Sequence, residues 1–223
     1  MRVYIMTDIH EATKWHRQVQ GDMAVEALRA NGFDAIYFSA GREAADYMLG
    51  FVSRGMSVGF GGSMTLAQLG IADRVKQKGA KLAFEITPDA YEDFDALGRS
   101  LKKTLLTDVY FTGSNAVTLD GALVNVDGGG NRVAAMTYGP DKVIVAAGIN
   151  KICRDEAAAW ERIRMVAAPT NAKRLNMETP CAQTGRCMNC KHPTRICRIY
   201  SVLRCKPLFT DITVVIIGEP LGF

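Results

Sequence analysis

Four cysteines stand within seventeen residues near the end of the chain, in the run CAQTGRCMNCKHPTRIC from Cys181 to Cys197. Their spacing is C-x5-C-x2-C-x6-C across Cys181, Cys187, Cys190 and Cys197. A C-x2-C step lets two thiolates converge on one metal centre, and two outer cysteines complete a four-thiolate shell. Zinc accepts this set in tetrahedral geometry, and so does a [4Fe–4S] cluster. The spacing matches neither the bacterial ferredoxin run nor a pair of regular zinc knuckles. It therefore points to a metal without choosing it: a [4Fe–4S] cluster is the leading expectation, with zinc and a thiol/disulfide switch as alternatives. No acidic residue occurs from Thr179 to Thr210, whereas Arg186, Lys191, Arg195, Arg198, Arg204 and Lys206 are basic. Those cations would offset the charge of a four-thiolate site and stabilise the thiolates. His192 and Cys205 are spare donors in the same segment, and Cys153 reads as a packed thiol.

Three glycine-containing loops form the second group of candidates. GFGGSMTL (59–66) follows a strand pattern and opens a helix pattern, an arrangement that can aim backbone N–H groups at phosphate or carboxylate. It lacks the Lys-Ser/Thr of a P-loop and the full G-x-G-x-x-G spacing. Gly61, Gly62, Ser63 and Thr65 are its binding candidates, with Ser63 alternatively a plain helix cap. TGSNAVTLDG (112–121) offers Thr112, Gly113, Ser114 and Asn115 at a strand's carboxyl end, where open α/β sheets bind ligands. VDGGGNR (126–132) adds Asp127, Asn131 and Arg132 around three glycines, read either as a close approach to a ligand or as a flexible turn. Asp120 and Asp127 are the candidate catalytic carboxylates. Asp120 reads equally as the first residue of an Asp-Gly turn.

The elements that must position these residues alternate in type. Helix patterns near 14–31, 41–53, 64–78, 91–104 and 154–169 are interleaved with strand patterns at 34–39, 57–61, 81–86, 108–113, 142–148 and 211–219. Trp15, Val19, Met23, Ala27 and Ala30 recur at helical spacing, and Asn31-Gly32 is a C-terminal stop. Trp15 and Trp160 read as core or interface anchors, and His10 and His16 as surface residues. Residues 122–139 read as a hairpin joined through its glycines. The repeated βα unit predicts an α/β fold, with a mostly parallel sheet covered by helices on both faces. The cysteine segment, 179–206, is expected as an insertion before the last strand.

At 223 residues the chain is long enough for one well-buried core, so a single domain over 1–223 is expected. Its 27 Lys+Arg and 23 Asp+Glu leave +4, which gives no ground for a nucleic-acid or membrane partner. No apolar run reaches the roughly 18 to 20 residues needed to span a bilayer, and no signal-peptide core is visible. A cytoplasmic protein is the expectation, and in that reducing compartment clustered cysteines favour metal or redox roles over structural disulfides.

The stretches VGFGGSMTLAQLG (58–70), FTGSNAVTLDGALVNVDGGGNRVAAMTYGPDKVIVAAGINKI (111–152) and AAPTNAKRL (167–175) resemble the LUD-domain family, named for lactate utilisation, and the resemblance runs from about Trp15 to Phe223. It implies a three-layer α/β/α fold of the type shared by ribose-phosphate isomerases, glucosamine-phosphate deaminases and CoA transferases. It further implies a small anionic or phosphorylated metabolite over loops 61–65, 112–115 and 127–132, with Lys151 at the next strand end. A role in organic-acid or lactate oxidation follows, either as an enzyme or as an accessory or redox-sensing subunit with an oxidoreductase partner; self-association into a homo-oligomer stays open. In the lactate systems clusters generally belong to partner subunits or extra ferredoxin-like segments. Cysteines inside the domain's own C-terminal part point to a cysteine-containing subgroup.

Overall fold

The run over 212–217, apolar except for Thr213, makes a strand that is buried on both faces, and the architecture is built around it. A computed structural model describes residues 8–84 and 93–223. In chain order the elements are α1 (Ile9–Ala30), β1 (Asp34–Phe38), α2 (Gly41–Leu49), β2 (Ser57–Phe60), α3 (Met64–Gln68), α4 (Ile71–Gln77), β3 (Lys81–Leu82), α5 (Phe94–Lys103), β4 (Val109–Gly113), β5 (Ala116–Thr118), β6 (Leu123–Asp127) and α6 (Asn131–Thr137). They continue with β7 (Lys142–Gly148), β8 (Ile152–Cys153), α7 (Glu156–Arg162), α8 (Ala168–Arg174), α9 (Pro180–Thr184), β9 (Ile199–Leu203) and β10 (Asp211–Ile217).

Six strands form a parallel sheet in the order β1-β10-β7-β4-β2-β3. Strand side chains alternate between faces, and the interior strands β10 and β7 show the consequence. Val143, Val145, Ile212, Val214 and Ile216 pack on one face with Val25 and Leu28 of α1, while Ile144, Val215 and Ile217 pack on the other with Met48 of α2 and Ile71 of α4. The result is the expected three-layer α/β/α arrangement. Among the described residues no helix is long and apolar enough to cross a membrane.

A second sheet, which the sequence reading did not anticipate, has the order β8-β5-β6-β9. Val117, Leu123 and Leu203 of this sheet join the main sheet's α1-side core. Its opposite face carries Ala116, Val124 and Cys153 against Ala159 of α7 and Ile163. The cysteine segment is thus more than an insertion: it ends in β9, which pairs antiparallel with β6 from Leu123↔Leu203 to Asp127↔Ile199.

Other expectations change for local reasons. Residues 122–139 form β6, a glycine turn and α6, because Gly130 (φ 85°) takes the left-handed conformation just before the helix. The helix expected over 64–78 breaks at Gly70 (φ 62°) into α3 and α4. The helix expected to stop at Pro169 continues through it. Proline cannot donate to the carbonyl four residues back and its ring crowds that carbonyl. The backbone accommodates this by widening into a π-turn over Ile163–Ala167 before α8. In α1 the buried residues are Gly21, Ala24, Val25 and Leu28, whereas Trp15 is 66% exposed and is no core anchor. The strand expected at 81–86 is shorter, present as β3 over Lys81–Leu82, while residues 85–86, like residues 91–92 of the next helix, lie outside the described residues.

Candidate functional site

The carboxyl ends of β2, β4, β6 and β7 open on one cleft of about 1050 Å³, closed on its other side by α5, α8 and residues 193–198 of the cysteine loop. Ligand pockets of α/β sheets form at this edge because the loops diverge there. Gly62, Ser63, Gly113, Ser114, Asn115, Asp127, Asn131, Arg132 and Lys151 all line it, so three loops distant in sequence meet as expected. Cys197 lines it too. Gly61, Thr65 and Thr112 sit just behind this wall. A Cβ added at Gly61 would lie 2.8 Å from Thr112 Oγ1, whereas one at Gly62 would meet nothing within 4 Å. Ser63 caps α3, its Oγ accepting from Leu66 N at 3.3 Å. Because α3 has only five residues, its dipole adds little to anion binding.

Arg132 is the structural centre of the site. Its Nη1 donates to Gly113 O (3.1 Å) and to Asn125 Oδ1, and its Nη2 donates to Asn115 Oδ1 (3.0 Å) and Val126 O (2.8 Å). Burial pushes the guanidinium below its ordinary pKa, and Asp127, 3.6 Å from Nε, works against that push. These donors are directed at protein oxygens, so Arg132 positions the β4, β5 and β6 ends. The Asp127 carboxylate accepts from Gly130 N (3.1 Å) and Val133 N (3.2 Å), satisfying amides at the start of α6 that would otherwise lack partners. The glycines of this turn also admit a neighbour: a Cβ on Gly128 would lie 3.1 Å from the carbonyl oxygen of Ile196. Asp120 stands apart. It is exposed, in the β5–β6 turn, where its side chain accepts from Thr118 Oγ1 and its backbone carbonyl accepts from Asn31 Nδ2 at 2.8 Å. The turn reading describes it.

Lys151 follows β7 and is 4% exposed. Its Nζ donates to Thr65 Oγ1 at 2.9 Å, and Thr65 Oγ1 donates to Leu221 O at 3.1 Å. Burial first, and then the charges of Arg162 and Arg132, bring its pKa down to about 7. Among the described residues no carboxylate pairs with it.

Sequence reasoning missed Asn125, which is wholly buried and accepts from Asn115 N (3.1 Å), Ser114 Oγ (3.3 Å) and Arg132. No motif marks a buried asparagine in a strand. It also missed Lys102 and Arg174 as cleft residues, and assigned Arg195 and Arg198 to the thiolates alone. For Arg195 and Arg198 the signal was present in the acid-free basic run after Thr179; Lys102 and Arg174 lie outside that run and carried none.

The four cysteines are free thiols of intermediate exposure. The loop that carries them is fixed at defined points: Cys187 N donates to Arg164 O in the π-turn (2.9 Å), and Arg198 N donates to Asp127 O (2.9 Å). Asn189, at φ 49°, directs its N–H to Cys187 Sγ at 3.4 Å, an amide-to-sulfur contact that suits a thiolate ligand. Cys197 first, with smaller contributions from Tyr200 and then Cys190, holds the Arg195 guanidinium above its ordinary pKa. The donor set and the C-x2-C turn therefore fit a thiolate-bound metal chemically. In the conformation described, no three His, Cys, Asp or Glu side chains among the described residues converge as ligands. Cys153 is buried in the small sheet's core, and Cys205 is exposed.

No curated protein matches this chain. Among solved structures it is similar to a DUF162 family protein from Deinococcus radiodurans, with 11% identity and a TM-score of 0.48 over 92% of this chain and 98% of that one. It is also similar to eIF2B beta from Chaetomium thermophilum, with 15% identity and a TM-score of 0.36 over 53% of this chain and 44% of that one. The LUD domain model matches residues 21–217, a span that takes in both sheets, the cleft and the cysteine loop, and the chain belongs to the LUD domain family.

Proposed function

We propose that the protein acts in organic-acid metabolism, with lactate and related hydroxy acids as the leading substrates, by holding a small anion at the strand-end side of the cleft. The observation that carries this reading is the cleft's charge. Among the described residues Lys102, Arg174, Arg195 and Arg198 line it as cations, and its one acidic residue, Asp127, is already engaged by α6 amides and Arg132. An anion entering a wall so biased gains attraction from every side, and burial strengthens it. The cleft exceeds a three-carbon acid, so the small anion is assigned to the strand-end side formed by Gly62, Ser63, Ser114, Asn115 and Lys151. The wider outer part, between α5 and the cysteine loop, suits phosphorylated or longer acids.

The thermal stability of the protein should rise with lactate, pyruvate or inorganic phosphate. Gly62→Val should remove the shift while the fold stands, because its side chain meets open cleft and no protein atom at Cβ. A wild-type shift in that variant would end the proposal.

Cys181, Cys187, Cys190 and Cys197 are proposed to hold an iron–sulfur cluster, which when bound would supply electron transfer beside the anion. The chain's own part is to bring Cys197 to the cleft wall through β9 and to offset thiolate charge with Arg195 and Arg198. The second reading is a structural zinc or thiol/disulfide site in a non-catalytic accessory or redox-sensing subunit. Anaerobically prepared protein should contain about four irons and four sulfides per chain. Replacing Cys187 or Cys190 should remove most of both, and replacing Cys153 should remove neither. Zinc without labile sulfide would select the second reading.

A further inference from the structure

The cleft contains an amine whose surroundings are wrong for a simple cation. Lys151 is 4% exposed, among the described residues it has no carboxylate partner, and its Nζ donates to the neutral hydroxyl of Thr65 at 2.9 Å. The charged groups that influence it are Arg132 of α6 and Arg162 of α7, both of its own sign. Over it passes Gly222, so close that an added Cβ would lie 3.2 Å from Nζ and 2.7 Å from Thr65 Oγ1. An unpaired ammonium in such a place is costly, and the group relieves the cost by losing its proton. Lysines desolvated beside other cations are the ones that act as nucleophiles. The amine faces a cleft whose outer wall already supplies Lys102, Arg174, Arg195 and Arg198 as anion-attracting cations.

From this geometry we propose that Lys151 is a covalent catalytic residue whose amine condenses with the carbonyl carbon of a 2-oxo acid held in the cleft. The proposal rests on the reading that the cleft takes an organic anion, and it narrows that anion to one bearing a carbonyl group. The Nζ lone pair forms the new C–N bond as the carbonyl π pair moves to oxygen. A proton passes from nitrogen to that oxygen to give a neutral carbinolamine, and the Thr65 hydroxyl, within hydrogen-bond distance of Nζ, is placed to relay it. The carbinolamine then loses its hydroxyl and the remaining nitrogen proton as one water, leaving C=N. No oxidant or reductant is consumed: amine plus ketone gives imine plus water. The depressed pKa, about 7, supplies a large neutral fraction at neutral pH, where exposed lysines with ordinary values are almost wholly protonated.

The test uses the full chain, with pyruvate as the probe and lactate as the carbonyl-free control. Each is incubated at pH 7 with sodium cyanoborohydride, which reduces an imine to a stable secondary amine, followed by intact-mass and peptide analysis. The expected result is one N-(1-carboxyethyl) group on Lys151 with pyruvate and none with lactate. Lys151→Arg, which keeps the charge but cannot form the imine, should lose the adduct. The wild-type peptide map decides the matter even if that variant does not fold. Label spread over surface lysines, or its persistence at the same level in Lys151→Arg, overturns the imine. If label is absent from Lys151 while pyruvate still shifts the melting temperature, the imine fails and the anion reading survives. If both label and shift are absent, both fail.

Discussion

Lys151 and Arg132 are both buried cations at one sheet edge, yet their chemistry diverges because their neighbours differ. Arg132 meets the acceptors of Gly113, Asn115, Asn125 and Val126 and the nearby Asp127 carboxylate, so its charge is compensated in place. Lys151 meets a hydroxyl and two other cations, so folding lowers its pKa from 10.5 to about 7. Between those two values the unfolded chain binds more protons than the folded one, and stability therefore rises with pH through that window. The cost of the buried amine is present in full below about pH 7 and vanishes above the unfolded value. Lys151→Met is accordingly expected to stabilise the ligand-free protein at pH 7 by on the order of 3 kcal/mol, since each pKa unit is worth about 1.4 kcal/mol and the lost Thr65 bond offsets part of the gain. The gain should shrink toward zero by pH 10.5. Urea unfolding of both proteins at pH 7 and pH 10 measures it. A gain that did not change with pH would mean that Lys151 keeps its proton in the fold.

At the scale of elements, what was legible in the sequence follows from which forces are local. The strands of the large sheet showed themselves as short apolar runs, most clearly β4, β7 and β10, because a strand buried on both faces needs apolar residues at nearly every position. Gly32 as a helix stop was equally local, with φ 84° where only glycine is at ease. The three loops were legible as binding candidates because strand ends and glycines mark them, and they do line one cleft. The small sheet was hidden. Its strand β5 has three residues and β8 has two, too few to show a period, and β9 (IYSVL) owes its conformation to pairing with β6 across more than seventy intervening residues. Residues 122–139 misled for a related reason. VDGGGNR looks like a hairpin turn until Asp127 is seen accepting from the amides of the next helix, and Gly128 is required by the approach of Ile196, which no local pattern encodes. Pro169 was read as a stop because proline usually is one. Here the π-turn absorbs the missing bond, and the carbonyl of Arg164 within that turn receives the N–H of Cys187.

For the whole molecule, the two sheets raise the question of whether they fold as one unit. Val117, Leu123 and Leu203 of the small sheet pack in the same core as Val145, Val214 and Leu28. Separating the sheets would therefore expose apolar surface on both partners, and an intermediate with one sheet formed would lose burial at about 25 cal/mol per Å² without regaining the full chain entropy. A single cooperative transition is the expected outcome. Trp160 is a local reporter of the small-sheet side: it packs on Tyr200 of β9 with ring centroids 5.6 Å apart, and its Nε1 donates to Glu156 Oε1 at 3.1 Å. Trp15, exposed on α1, can be replaced by Phe to leave Trp160 as the sole tryptophan. In that variant, urea unfolding followed by Trp160 fluorescence should coincide in midpoint and slope with unfolding followed by far-ultraviolet circular dichroism, which is dominated by the helices of the larger layer. An earlier fluorescence transition would mean that the small sheet and its cysteine loop detach first. The wall that carries Cys197 and Arg195 would then open and close on the cleft independently of the main sheet.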